Sequence, residues 1–352
     1  MTKFLIKFSA LMILIGASHA PSFAAEPGKG PPSASEIALY QGNDRHERLV
    51  EAARKEGELS VYHVYPNLPI VMEAFTKKYG IKVKAWRSGS ENVLQRIATE
   101  ARGGKFDVDI VQNNAPENEA AHREKLLQEV RSPYLKDLIP QASPAHKEWV
   151  GITIDVFSGA YNTTKVKKEE LPKTYQDLLD PKWKGRLGIE AEDHGWFNTL
   201  VDTLGEKQGI KLFNDIVATN GVSVRKGHSL LATLAASGEV PLALTVYSWN
   251  PEQLKLKGAP IEMFTIQPVV AQFSTIAMTR KAPHPAAAAL FYDFMLSEGQ
   301  QHLANLKYVA TSKNIGSHVS GIPLKFIDPT FALDRQEQWV KTFQEVIGKK
   351  AR

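Results

Sequence analysis

Between Glu58 and Asn113 the chain switches repeatedly between two hydrophobic periods, and that alternation limits the folds open to it. "ELSVYHVY" reads as a strand. "LPIVMEAFTKKYG" reads as a helix, with Ile70, Val71, Ala74 and Phe75 on one face and Gly80 as its stop. "IKVKAWRS" alternates as a strand does. "SENVLQRIATEARGG" reads as a helix capped by Ser90, with Val93, Leu94, Ile97, Ala98 and Ala101 in one stripe, and "FDVDIVQN" as a further strand. Parallel strands need a long crossover between them, and a helix is the usual one. The pattern therefore predicts an α/β layer fold on a parallel sheet.

The rest of the chain extends this reading. "EPGKGPPSAS", before it, is a Pro/Gly/Ser lead-in, and residues 37–55 read as helical, with Leu49, Val50 and Ala53 on one side and Gly57 closing the helix. Further on, "WVGITIDVFSGAYN" is long and β-rich, and "PKTYQDLLDPKWKGRLGIE" reads as helix, turn and strand. "GWFNTLVDTLGEKQG" and "GIKLFNDIVATNG" read as helices, and "HSLLATLAASGEVPLALTVYSW" as a helix followed by a strand. A second α/β unit is expected there. "QFSTIAMTRKAPHPAAAALFYDFMLSEGQQHLAN" then gives a strand and an Ala-rich core helix, and "RQEQWVKTFQEVIG" a terminal helix. With 352 residues the chain has room for one large or two medium domains.

The N-terminus predicts export. Lys3 and Lys7 precede the apolar run Phe8 to Ala17, and Ser22-Phe23-Ala24 offers a small-x-small cleavage site, so residues 1–25 read as a signal peptide. Its loss lowers the formal charge of +5 to +3, too little to argue for a nucleic-acid partner. The chain holds no cysteine, which excludes disulfides, thiolate metal sites and cysteine nucleophiles. Catalytic motifs are missing as well. "GHSLL" lacks the closing glycine of a nucleophile elbow, and no Walker A, H-E-x-x-H or strand-linked G-x-G-x-x-G occurs. The histidines are scattered rather than paired at helical ligand spacing, so a zinc enzyme has no support.

One stretch points to binding instead. "TVYSWN", Thr245 to Asn250, reads as a buried strand that delivers Tyr247, Ser248 and Trp249 to its exit, with Pro251 ending the element.

From Glu58 to Lys313 the sequence resembles the periplasmic solute-binding proteins of ABC importers, in particular the ferric-iron-binding-like subfamily. Several phrases in order carry the resemblance: "LSVYHVY" with "MEAFTKKYGIKV", "SGSENVLQRIATE", "FDVDIV", "DLLDPKWKGRLGI", "LAASGEVPLAL" before an aromatic cluster, and "HPAAAALFYDFMLSEGQQ". It implies a two-lobed fold of the type II periplasmic-binding class, each lobe a mixed sheet flanked by helices. Residues 58–155 with 272–310 would form the first lobe and residues 156–271 with 311–352 the second, with residues 26–57 leading in. The crossover strands "ITIDVF" and "QFSTIA" would carry the hinge. It also implies a periplasmic, non-catalytic monomer that hands a small solute to an inner-membrane permease.

The ligand set follows from the same resemblance. In the ferric subfamily the strand exit at Tyr247 carries adjacent tyrosines that bind iron; here Ser248 stands at the second position. Asn113 and Asn114 occupy places where many ferric binders have a carboxylate. An anionic or polar organic solute is therefore the main expectation, with no cofactor. The expected contacts are Tyr247, Trp249, Tyr65 and Asn113, the helix start Ser88-Gly89-Ser90, a second start at His194-Gly195-Trp196, and His228 at a third. Fe(III) held by the phenolates of Tyr247 with Tyr62 or Tyr65 is the alternative. An exported hydrolase ranks last, since no nucleophile–base motif supports it.

Overall fold

The structure, a computed structural model, describes residues 32–348. The signal peptide expected over residues 1–25, and most of the lead-in, lie outside the described residues. Where one helix was expected over residues 37–55 there are two, α1 (Ala34–Leu39) and α2 (Arg45–Glu56). The turn formers Gly42, Asn43 and Asp44 separate them.

The alternating segment then builds β1 (Glu58–His63), α3 (Leu68–Tyr79), β2 (Lys82–Arg87), α4 (Ser90–Arg102) and β3 (Ile110–Asn114). Strand β1 lies between β2 and β3, parallel to both, as helical crossovers require. The inward face of α3 differs in detail from the sequence reading. Leu68, Val71, Met72, Phe75 and Tyr79 are buried, whereas Ile70 is 51% exposed. The buried set is the one that keeps the helical period through to Tyr79.

A helix that the sequence reading did not separate, α5 (Ala115–Arg123), leaves β3 directly, and β4 (Leu127–Gln128) follows. The long strand β5 (Val150–Asn162) is buried along its whole length. The helix expected in "PKTYQDLLDPKWKG" is instead two short 3-10 turns, Gln176–Leu179 and Pro181–Trp183. Pro181 disfavours the α conformation at Asp180 before it. Then come β6 (Leu187–Glu190), α6 (His194–Leu204), α7 (Glu206–Asn220), β7 (Ser223–Arg225), α8 (His228–Ser237), β8 (Leu242–Tyr247), α9 (Trp249–Lys255) and β9 (Ile261–Phe264). Pro251 does not end the element after Tyr247; it sits in the first turn of α9, where a proline's missing N–H costs nothing. The chain finishes with β10 (Val269–Thr279), α10 (Pro285–Leu296), α11 (Glu298–Asn305), β11 (Val309–Ala310), β12 (Leu324–Phe326), α12 (Pro329–Asp334) and α13 (Gln336–Val346).

The main strand order is β2-β1-β3-β10-β5-β8-β6-β7. Strand β10 returns late in the chain to sit antiparallel between β3 and β5. Beyond β5, the strands β8, β6 and β7 are parallel to one another, while β8 runs antiparallel to β5. The mixed sheet with helices on its faces agrees with the expected α/β class. The core on the β1 side is aromatic: Phe75 of α3 meets Phe291 and Phe294 of α10 at 5.0 and 5.5 Å between ring centres. Helix α10 is buried from Ala286 to Leu296. Its first N–H groups are satisfied from a distance, because the Glu56 carboxylate at the end of α2 accepts from Ala286 and Ala287 at 3.0 and 2.7 Å. The last segment belongs to both halves. Strand β12 pairs with β10, α12 packs on α5, and α13 packs on α6 and α7.

Candidate functional site

Three helices begin at the ends of strands or strand-linked turns and point their first residues at one cavity of about 610 Å³. Ser88, Gly89 and Ser90 open α4, His194, Gly195 and Trp196 open α6, and Gly227, His228 and Ser229 open α8; all line the cavity. Ser90 is not the cap expected from the sequence. Gly89 holds that position, Ser90 is the first helical residue, and none of the three starts has a side-chain cap. Unpaired N–H groups at helix starts carry partial positive charge and favour acceptor groups on a ligand. Gly227 adopts φ +103°, a backbone region that L side chains rarely enter, and its N–H donates to Glu190 Oε1 at 2.7 Å.

The floor comes from β5 and from the exit of β8. Asp155 of β5 is fully buried. Its Oδ1 accepts from the Tyr65 hydroxyl at 2.7 Å and from the Trp249 indole N–H at 3.1 Å, and Oδ2 has no partner. Burial pushes the Asp155 carboxyl up to about 6, with the hydrogen bonds from Tyr65 and Trp249 opposing the rise. Tyr247 stacks on His228 with centres 4.0 Å apart, leans on Phe157 at 5.1 Å, and accepts from Gln272 Nε2 at 2.8 Å. Trp249 lies 6.0 Å from both Tyr247 and Tyr65.

Acidic groups crowd the wall beside α6 and α8. Asp193 Oδ1 pairs with His228 Nε2 at 2.9 Å. Both oxygens of Glu190 accept backbone N–H bonds, from Gly227 and from Glu192. Burial and then the charge of Asp193 push Glu190 up to about 7. Burial alone would lower His228, but Asp193, with Glu190 and Asp155 nearby, lifts it to about 9. Across the cavity, burial raises Glu117 of α5 to about 7.

The His228 shift gives a stability prediction. A histidine raised in the folded state adds stability that is full below its unfolded value, near 6.5, and is lost as pH rises through about 9. The protein alone is expected to lose on the order of 3 kcal/mol across that window. Urea denaturation at the two limits measures it, and His228→Gln should flatten the profile between them.

Ten of the residues named from the sequence come together here: Tyr65, Ser88, Gly89, Ser90, His194, Gly195, Trp196, His228, Tyr247 and Trp249 all line the cavity. Two do not. Asn113 turns away and donates from Nδ2 to Ser90 O at 3.0 Å, bracing the start of α4 while Asn114 lines the cavity instead. Tyr62 faces the other side of β1, where its hydroxyl donates to Glu100 at 2.9 Å and Arg96 covers its ring. Tyr65 lies past the end of β1 at His63, where the chain has turned toward the cavity, so the two phenols do not meet and an iron site built on Tyr62 has no geometric basis. The residues that sequence reading passed over are the carboxylates Asp155, Glu117, Glu190 and Asp193. One signal was available: Asp155 is a lone acid inside the buried run "ITIDVF", where a charge is rare without a purpose. The C-terminal segment also reaches the cavity, through Ile327, Gln336 and Trp339.

Against known proteins, a family model described as a bacterial extracellular solute-binding protein matches residues 71–318. The Fe(3+)-binding periplasmic protein of Serratia marcescens is 27% identical over 246 residues, which span 69% of this chain and 62% of the Serratia protein's length. A protein of Salmonella typhi named as a candidate 2-aminoethylphosphonate-binding periplasmic protein is 23% identical, matched over 96% of this chain and 93% of its own. Among solved structures, the periplasmic binding protein AfuA from Actinobacillus pleuropneumoniae, with exogenous fructose-6-phosphate bound, superposes with a TM-score of 0.73. It is 22% identical and covers 83% of this chain and 99% of that one. At that identity the likeness establishes the fold, the two-lobed periplasmic-binding architecture.

Proposed function

The chain belongs to the bacterial extracellular solute-binding proteins, and from that premise we propose that it captures a small polar organic solute in the cavity under α4, α6 and α8 and delivers it to the membrane permease of an ABC importer. The observation that carries this reading is the convergence of three uncapped helix starts and the rings of Tyr65, Trp196, Tyr247 and Trp249 on one cavity. Its size fits a molecule of metabolite scale. The starts suit acceptor groups such as a carboxylate or phosphonate, and the rings suit the carbon skeleton.

Capture would proceed by closure of two lobes, residues 58–155 with 272–310 against residues 156–271, with the C-terminal segment touching both and the chain bending at β5 and β10. The protein acts in the periplasm in this reading, as a carrier and not as a catalyst. Among the described residues no helix is long and apolar enough to cross a membrane. The test is the native mass of the mature protein isolated from its own periplasm, compared with its denatured mass. An excess equal to an organic molecule is expected; no excess in any preparation, with no solute retained from the host's own extract, overturns the reading.

Ferric iron is the second reading, because the hydroxyls of Tyr65 and Tyr247 share the cavity with Asp155, Glu190 and Asp193. Burial, and then neighbouring carboxylates, hold both phenols well above the usual tyrosine range, so iron would have to supply the drive to ionise them. A visible tyrosinate-to-iron absorption band on adding chelated ferric iron would establish this reading, and its absence at saturating iron would remove it.

A further inference from the structure

We propose that the solute carries a positively charged nitrogen group, seated against the free oxygen of Asp155 and walled by the rings of Tyr65, Tyr247 and Trp249. The inference rests on the cavity being the solute site and names the substrate class: a protonated or quaternary amine, zwitterions included.

Asp155 is the centre of the argument. It has no exposure, its Oδ1 is already shared by two donors, and Oδ2 has no partner while the residue lines the cavity. Asp193 Oδ2 and Glu117 Oε2 are buried in the same condition. A buried carboxylate oxygen without a donor is costly, and an incoming N–H or ammonium group removes that cost. Charge points the same way. Six carboxylates line the cavity against Arg87, Lys226 and His228, and two of those cations are already paired, Lys226 with Glu192 and His228 with Asp193. Burial lowers His194 and raises Glu117 and Glu190; with these three uncharged, four carboxylates still face three cations, so the wall is net negative even with His228 protonated. A purely anionic solute would meet this field as repulsion, and a positive group is attracted by it. The uncapped helix starts still provide for an anionic end, so a solute with an amine at one end and a carboxylate or phosphonate at the other uses the whole cavity.

The test separates solutes by charge before they meet the protein. A bacterial small-molecule extract, treated with a metal chelator, is passed at acid pH over a cation exchanger. This retains amines and zwitterions and lets nitrogen-free anions and neutral molecules through. Each pool is then added to the purified mature protein, and the melting temperature is read. A rise with the retained pool alone is expected. A rise with the unretained pool alone overturns the amine assignment and leaves the carrier reading standing. A rise that appears only when the chelator is omitted makes the cargo a metal ion and overturns both. No rise with either pool overturns the carrier reading and the amine assignment with it. These arms use the unsubstituted protein and need no variant. As a second readout, Asp155→Asn keeps an acceptor for Tyr65 and Trp249 but removes the charge. It should need at least tenfold more of the retained pool for the half-maximal shift, and equal potency would overturn the role of Asp155.

Discussion

Asp293→Ala should lower the unfolding free energy by about 3–5 kcal/mol, one of the largest single losses expected outside the cavity. Asp293 of α10 holds Arg45 of α2 in a two-pronged pair, Oδ2 to Nε at 2.8 Å and Oδ1 to Nη2 at 3.4 Å. Both side chains are nearly closed to solvent, 5% exposed for Arg45 and 7% for Asp293. Arg45 Nη1 also donates to the carbonyls of Ile37, Ala38 and Tyr40, so it closes the end of α1 as well. Removing the carboxylate leaves a buried guanidinium charge with carbonyl partners only, and the penalty is the desolvation of that charge. The double variant Arg45→Met with Asp293→Leu should recover much of the loss, because an apolar pair of similar volume avoids it. Urea titrations of the four proteins in this cycle measure the coupling. A single-variant loss below 1 kcal/mol would show that solvent reaches the pair.

Tyr247→Ala should weaken solute binding by about 30-fold or more, which is about 2 kcal/mol. The ring is 9% exposed and forms the wall between His228 and Trp249. Its loss opens the cavity and strands Gln272 Nε2 without its acceptor. Stability falls too, because a large buried ring leaves a void, so a second variant separates the effects. Tyr247→Phe keeps the stack on His228 and removes only the hydroxyl. Calorimetric titration with the solute released from the unsubstituted protein, alongside thermal melts, makes the comparison. Affinity unchanged in both variants, with folding intact, would take Tyr247 out of the site.

What was legible in the sequence follows from what is local. The switch of period between "ELSVYHVY" and "LPIVMEAFTKKYG" needs only neighbouring residues to be read, and it predicts the parallel strands found around β1, though not their order. The helix starts at Ser88, His194 and His228 were equally visible, since a polar or glycine residue before an apolar stripe marks a beginning. Convergence was another matter. Asp155 and Trp249 are 94 residues apart and meet through an indole N–H, and no local pattern encodes that. Nor could sequence alternation place Tyr62 and Tyr65 relative to the cavity, because the chain leaves β1 after His63 and the period of two stops there. The C-terminal contribution of Trp339 was hidden for the same reason: α13 reads as an ordinary amphipathic helix, and only its docking on α6 and α7 brings it to the wall.

The late return of β10 has a consequence for the order in which the protein can be made. Until Thr279 has left the ribosome, β3 has an unpaired edge and β5 lacks the neighbour that joins it to β1 and β2. Until Leu296 has followed, the apolar face of α2 lacks the helix it packs on, Phe75 of α3 lacks the rings of Phe291 and Phe294, and the carboxylate of Glu56 has no helix start to hold. More than four fifths of the polypeptide must be synthesised before its first half can finish folding. If the chain is exported, as the N-terminal sequence predicts, this delay would keep it unfolded while it is threaded through a translocation pore, and folding would finish only when nearly all of it had arrived.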